Sequence, residues 1–200
     1  MTRALTLAES TGARDWQAHS LIALGKILGE QGDYVRAQEH FVQALELERA
    51  LGDARGEANA LHALGNIAIF RAEYACAAEY YSQASVIFRA LGARADEGNT
   101  LNNLGTIALY RGEYDRAANF YADALARARE TGARRNESNA LGNLGIVAHY
   151  QADYARAITY AEQALAIDRA IGHQQGVGRK LNALGESARA QGDYARAQTY

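Results

Sequence analysis

Residues 91–130 read LGARADEGNTLNNLGTIALYRGEYDRAANFYADALARARE. Leu101, Leu104, Gly105 and Ala108 fall at i, i+3, i+4 and i+7, which puts them on one apolar stripe of a helix. Arg111-Gly112-Glu113 breaks the pattern. Tyr114, Ala117, Ala118, Tyr121, Ala124 and Leu125 then form a second stripe. The stretch predicts two antiparallel helices joined by a tight turn.

The same pattern recurs along the whole chain. Gly12, Gly52, Gly92, Gly132 and Gly172 are spaced by forty, as are Gly25, Gly65, Gly105, Gly145 and Gly185. Tyr34, Tyr74, Tyr114, Tyr154 and Tyr194 keep that interval, and so do Ala37, Ala77, Ala117, Ala157 and Ala197. The period divides the chain into four full repeats at residues 11–50, 51–90, 91–130 and 131–170, with a truncated fifth at 171–200. Ala4 and Leu5 align with Ala44 and Leu45, so residues 1–10 are expected to be the tail of a preceding repeat. Neither end carries a polar cap of the kind a solenoid requires, so a longer array is expected, with uncapped ends open to self-association.

The two glycine series are assigned different tasks. Gly92 and its equivalents follow one helical run and precede the next, where a left-handed residue ends a helix. Gly105 and its equivalents lie inside a helix at about 1 kcal/mol each relative to Ala. That cost implies close approach of the partner helix, with the Ala117 series expected as the matching surface.

Composition narrows the function. The 21 Lys and Arg against 23 Asp and Glu leave a net charge of −2, with no basic footprint for nucleic acid or for an anionic membrane. The lysines are Lys26 and Lys180 alone. Cys76 is the sole cysteine, so no intrachain disulfide forms and a reducing, cytoplasmic setting is expected. No apolar run reaches the length of a membrane helix, and the first ten residues do not read as a signal peptide. Proline is absent, and local propensity favours helix almost throughout.

A helix pair with Leu61, Leu64 and Gly65 in its first helix and Tyr74, Ala77, Tyr81 and Ala84 in its second resembles the tetratricopeptide repeat. The forty-residue length is similar to the extended repeats of Pins/LGN-type adaptors and of the sensor arms of bacterial signalling ATPases and transcriptional regulators. The resemblance implies an all-α, right-handed superhelical solenoid of antiparallel helix pairs. Its expected use is as a protein-interaction scaffold; the alternative is a regulatory arm of a larger ATPase or transcriptional regulator. The chain departs from the pattern at Ala161, which replaces an aromatic residue, and at Ala72 and Ala152, which replace turn glycines. These changes are expected to alter inter-repeat angle or local flexibility and leave the fold intact.

The face of each first helix opposite its apolar stripe carries the candidate site. It holds Asn59, His62, Asn66 and Phe70 in the second repeat and Asn99, Asn102, Asn103, Thr106 and Tyr110 in the third. Asn139, Asn143 and Tyr150 continue it in the fourth, and Asn182 in the fifth. Asn is an unusual choice for a solvated helix face, because its side chain competes for the backbone. A carboxamide donates and accepts at once, so a row of them suits the main chain of an extended peptide, with Phe70, Tyr110 and Tyr150 as apolar anchors. By the family resemblance this stripe faces the concave groove. The other reading is structural, with Asn bridging adjacent first helices.

No catalytic, cofactor or metal site is expected. The histidines are scattered among repeats, and no phosphate loop or nucleophile elbow occurs. Cys76 takes an exposed helix position, Trp16 covers the first repeat, and Gly176-Val177-Gly178 reads as a loosened helix start. The acidic residues are expected on solvated faces.

Overall fold

The computed structural model describes the backbone of residues 2–200 and the side chains of residues 12–200. Among the described residues it is all-α. The helices run α1 (Thr2–Glu30), α2 (Tyr34–Leu51), α3 (Ala54–Phe70), α4 (Tyr74–Ala90), α5 (Arg94–Tyr110), α6 (Tyr114–Glu130), α7 (Arg134–Tyr150), α8 (Tyr154–Ala170), α9 (Gln174–Ala190) and α10 (Tyr194–Ala197). They form consecutive pairs, and the chain divides into two compact units, Met1–Ala93 and Arg94–Tyr200.

In the first unit α1 packs on α2, α2 on α3 and α3 on α4. Phe41, Leu45, Leu61, Leu64, Ile67 and Phe88 form its core. In the second unit α5–α6, α6–α7, α7–α8 and α8–α9 pack in sequence, and the first helices α5, α7 and α9 also touch their neighbours directly. Leu101, Leu104, Tyr121, Leu141, Leu144 and Leu184 are buried there. The helical period of each stripe explains these cores: residues three and four apart meet on one face.

Gly52, Gly92, Gly132 and Gly172 have φ between 66° and 72° and end their helices or the turns that follow, as the spacing predicts. Gly12 is the exception. Helix α1 runs through it without a break, so the expected turn at the first member of the series is absent. The proposed tail at residues 1–10 lies outside the residues whose side chains are described, though its backbone from Thr2 is helical.

The turn inside each pair is equally regular. Gly112 takes φ 74°, and Ala72 and Ala152 take φ 59° in the same place. The Ala72 and Gly112 amides donate to Ile69 and Leu109 carbonyls at 2.9 Å, so both turns have the same hydrogen bond. Replacing glycine has therefore kept the turn and added backbone strain at a non-glycine left-handed residue. Asp33, Asp153 and Asp193 cap the following helices by accepting from the Arg36, Arg156 and Arg196 amides.

The interior glycines do what was expected, against a different partner. A Cβ on Gly25, Gly65 or Gly105 would stand 2.7, 2.6 or 2.6 Å from the ring of Phe41, Tyr81 or Tyr121. The close surface is thus an aromatic ring of the second helix and not the Ala117 series. Opposite Gly145 the ring position is Ala161, and the nearest atom comes from the alanine series: Ala157 O at 3.3 Å.

Several acids are buried, contrary to the expectation of solvated faces. Glu48, Glu97 and Asp168 are fully buried and Glu137 nearly so. Glu97 pairs with Arg94 and Arg127, both at 3.1 Å, and Glu137 with Arg129 and Arg134. Burial is tolerable because each of these two carboxylates has two guanidinium partners. Gly56 and Gly176 are small for a related reason. The Glu48 carboxylate packs directly on Gly56, and that of Asp168 packs on Gly176, so the supposed loosened start of α9 is a close acid-to-backbone contact.

Candidate functional site

The first-helix residues singled out by the sequence divide into three groups. Some tie a helix pair together. The Tyr81 hydroxyl donates to Asn66 Oδ1 at 2.6 Å, and Tyr121 and Thr106 hydroxyls meet at 3.1 Å. His62 packs edge-on to Tyr81 with centroids 5.2 Å apart. Burial pushes the Tyr121 phenol up to about 12, while its bond to Thr106 pulls the other way.

A second group joins neighbouring repeats. Asn143 Nδ2 donates to Asn102 Oδ1 at 2.9 Å, and Asn136 Nδ2 donates to Asn99 Oδ1 at 2.8 Å. These bonds link α5 to α7 and are the inter-helix bridges of the structural reading. They run between residues 41 and 37 apart and not in the strict forty-residue register. Phe70 stacks on Tyr34 with centroids at 5.1 Å, and Tyr150 on Tyr114 at 5.6 Å. Phe70, Tyr110 and Tyr150 remain about 60% exposed (63%, 63% and 59%).

The third group has hydrogen-bonding capacity to spare. Asn103 and Asn139 are half-buried, Asn59 and Asn182 exposed, and their side chains make no hydrogen bond among the described residues. In the second unit Asn102, Asn139, Asn143, Ile146, Arg179 and Lys180 line a cleft of about 330 Å³. The structure thus brings α5, α7 and α9 residues together around one polar depression.

A second cavity, of about 270 Å³, opens beside it between α7, α8 and α9. Its floor is Gly145 and Ala161, and its walls include His149, Tyr150, Lys180 and Ser187. In the sequence Ala161 stands out as a departure from the repeat, and the cavity beside it emerges only in the fold. The signal was available: Gly145 keeps the ring-accommodating glycine while position 161 has lost the ring. Lys180 was also missed. It is 7% exposed, and burial depresses its ammonium below the ordinary lysine range against the pull of Asp168.

Cys76 is exposed, as its position implies, and Trp16 is 77% exposed and covers little of the first repeat. No group of His, Cys, Asp and Glu among the described residues is arranged to hold a metal ion. No described helix is long and apolar enough to cross a membrane.

A family profile described as Tetratricopeptide repeat matches residues 18–90, 56–130, 96–170 and 137–200, which together span most of the chain. No curated protein matches it. Among solved structures it is similar to BtubC from P. vanneervenii, with a TM-score of 0.81 and 20% identity over 96% of this chain and 87% of that one. It is also similar to a Rap protein complexed with competence and sporulation factor (TM-score 0.76, 19% identity, 92% of this chain). A third likeness is to a signal transduction ATPase with numerous domains from Pyrococcus horikoshii that carries a tetratricopeptide repeat sensor (TM-score 0.80, 18% identity, 87% of this chain). This chain covers 51% of the Rap protein and 27% of the ATPase. At these identities the likeness concerns the fold.

Proposed function

Because the chain belongs to the tetratricopeptide repeat family, we propose that it is a non-catalytic scaffold that binds a peptide or protein segment along its first-helix face. The observation that carries this reading is the cleft lined by Asn102, Asn139 and Asn143, where Asn139 keeps its carboxamide unpartnered. A half-buried amide without a partner loses hydration and gains nothing until a ligand supplies a bond, at about 0.5–1.5 kcal/mol each. The exposed rings of Tyr110 and Tyr150 add apolar anchorage at low entropic cost. Asn102, Asn143 and Asn99 serve both readings, because an amide that bridges repeats still has a lone pair and a proton to offer.

The same face would serve a sensor arm within a larger signalling ATPase or regulator. The repeat sensor of the Pyrococcus horikoshii ATPase supports that reading only at the level of fold. The free, exposed Cys76 fits a reducing, cytoplasmic setting, and the near-neutral charge favours a protein partner over nucleic acid.

The test is selection of random twelve-residue displayed peptides against the chain, followed by titration of the enriched peptide. Asn103→Ala with Asn139→Ala should weaken binding tenfold or more and leave the melting curve unchanged, because neither amide has a partner to lose. Binding that persists in that double variant would contradict the groove reading.

A further inference from the structure

We propose that the cavity between α7, α8 and α9 is a binding site for a small aromatic carboxylate, with its ring over Gly145 and its carboxylate on Lys180. The inference does not depend on the peptide-binding reading. It starts from how this fold treats its interior glycines. Gly25, Gly65 and Gly105 each face a flat ring so closely that a Cβ would stand within 2.7 Å of it. The ring belongs to Phe41, Tyr81 or Tyr121, all buried. Gly145 preserves the glycine of this arrangement, but Ala161 supplies only a methyl group. The nearest atoms to a Cβ on Gly145 are Ala157 O at 3.3 Å, Tyr160 Cβ at 3.5 Å and Ala161 N at 3.7 Å.

The space lined by Gly145, Ile146, Ala161 and Lys180 has a volume of about 270 Å³. An apolar cavity of about 150 Å³ in a protein core is enough to take benzene, so a single ring with a short acid chain fits. The polar group of the built-in rings has also been removed from this slot. Asn66 accepts from the Tyr81 hydroxyl and Thr106 shares a hydrogen bond with that of Tyr121, and the equivalent residue here is Ile146.

Lys180 indicates the charge. Its side chain is more than nine-tenths buried, and its Nζ makes no hydrogen bond among the described residues. Asp168 Oδ2 stands 3.9 Å away, close enough to pair electrostatically and too far to accept a hydrogen bond. A Cβ on Gly142 would lie 2.7 Å from that Nζ, so the ammonium lies against the α7 wall of the cavity. Because the ion pair with Asp168 is long, the ammonium still has donors to offer, and an anion brought within hydrogen-bond distance would use them. Glu186, the acid that lines the same cavity, is exposed and water-screened, and Arg179 on the adjoining cleft offsets it.

The test is calorimetric titration of the full chain with 3-phenylpropanoate. Saturable one-to-one binding is expected, with affinity at least tenfold weaker for the neutral 3-phenylpropanamide and for 3-cyclohexylpropanoate. Ala161→Phe, which places the chain's own ring in the slot, should abolish binding while raising the melting temperature. Equal binding of acid and amide, or unchanged binding to Ala161→Phe, would overturn the assignment. If that variant fails to fold, the amide and cyclohexyl ligands still decide the matter on the wild-type chain. A hexapeptide ending in a free Phe that binds tighter than 3-phenylpropanoate would overturn the small-molecule source in favour of a chain terminus. Failure of the displayed-peptide experiment would leave this result untouched.

Discussion

The α5–α6 and α7–α8 pairs share a glycine seat, a left-handed turn residue and a first helix bearing Asn, yet one is filled and the other is not. Over Gly105 lies the Tyr121 ring, 1% exposed and tied to Thr106. Over Gly145 lies a cavity floored by Ala161, with Ile146 where the hydroxyl partner would be. Two linked positions have changed together, from a ring and its hydrogen-bond partner to a methyl group and an aliphatic chain. Ile158 stands where α6 has Ala118 and is buried in the same cluster as Ala161, yet a space of about 270 Å³ remains beside them. Filling a ring-sized apolar space with a buried side chain is worth about 1.5–3 kcal/mol, so a fold that leaves the space open gives up stability at that point. On the proposal made above, that lost stability accompanies a site kept open for a ligand.

The strongest way to break the comparison is to make the third repeat resemble the fourth. Tyr121→Ala should cost about 3–5 kcal/mol in urea unfolding, as for other buried aromatics. A loss under about 1 kcal/mol would mean that the ring contributes little and that the two pairs do not differ energetically.

A glycine pair sharpens the same contrast. Gly105→Ala drives a Cβ into the Tyr121 ring and should destabilise by about 1–3 kcal/mol. Gly145→Ala makes one tight approach, to the Ala157 carbonyl at 3.3 Å, with Tyr160 Cβ and Ala161 N at ordinary contact distance, and helix propensity offsets it. Its expected effect is within about 1 kcal/mol of zero, measured in the same melts. Equal losses at both positions would remove the distinction.

The Tyr121 hydroxyl allows a pH version. Its folded value of about 12 lies above the ordinary tyrosine value of 10, so the native state holds its proton more tightly than the unfolded chain. The contribution is present below pH 10 and is lost as pH rises from 10 toward 12. Wild type should lose on the order of 1–2 kcal/mol more than Tyr121→Phe across that range. Parallel curves would show that the phenol is not held as described.

The smallest effect concerns the turns. Ala152→Gly should stabilise by about 0.5–1 kcal/mol by relieving a left-handed alanine, and Gly112→Ala should destabilise by about 1 kcal/mol. Thermal melts that show no opposition in sign would mean the two turns are not equivalent.

Much of this molecule was legible from the forty-residue period. The pairing of helices, the turn glycines from Gly52 onward and the exposure of Cys76 all follow from it. Gly12 did not conform, because a glycine spaced like a terminator ends a helix only where a left-handed turn forms, and α1 continues through it. The seat of Gly105 was legible as a close approach, but its partner was not. A ring at position 121 and an alanine at 117 lie on the same face of α6, and only the packing distinguishes them. The buried acids were invisible for a different reason. Glu97 and Glu137 look like surface residues until Arg127 and Arg129 are placed beside them, although their forty-residue spacing was there to read. The Asn row was seen, but the bonds that run from Asn99 to Asn136 and from Asn102 to Asn143 depend on how α5 and α7 are offset, which spacing along one helix does not encode. Finally, Ala161 reads from sequence alone as a change of angle, because a missing side chain has meaning only against the residues left around it.

The most direct measurement of the central claim, that α7–α8 retains a seat shaped for a ring, is the thermal unfolding of Ala161→Phe. The account predicts a rise of at least 3 °C, the order expected when about 1–2 kcal/mol is gained in a chain of this size. A fall in melting temperature would contradict it, because it would show that the space over Gly145 does not fit the ring that its counterparts over Gly65 and Gly105 accommodate.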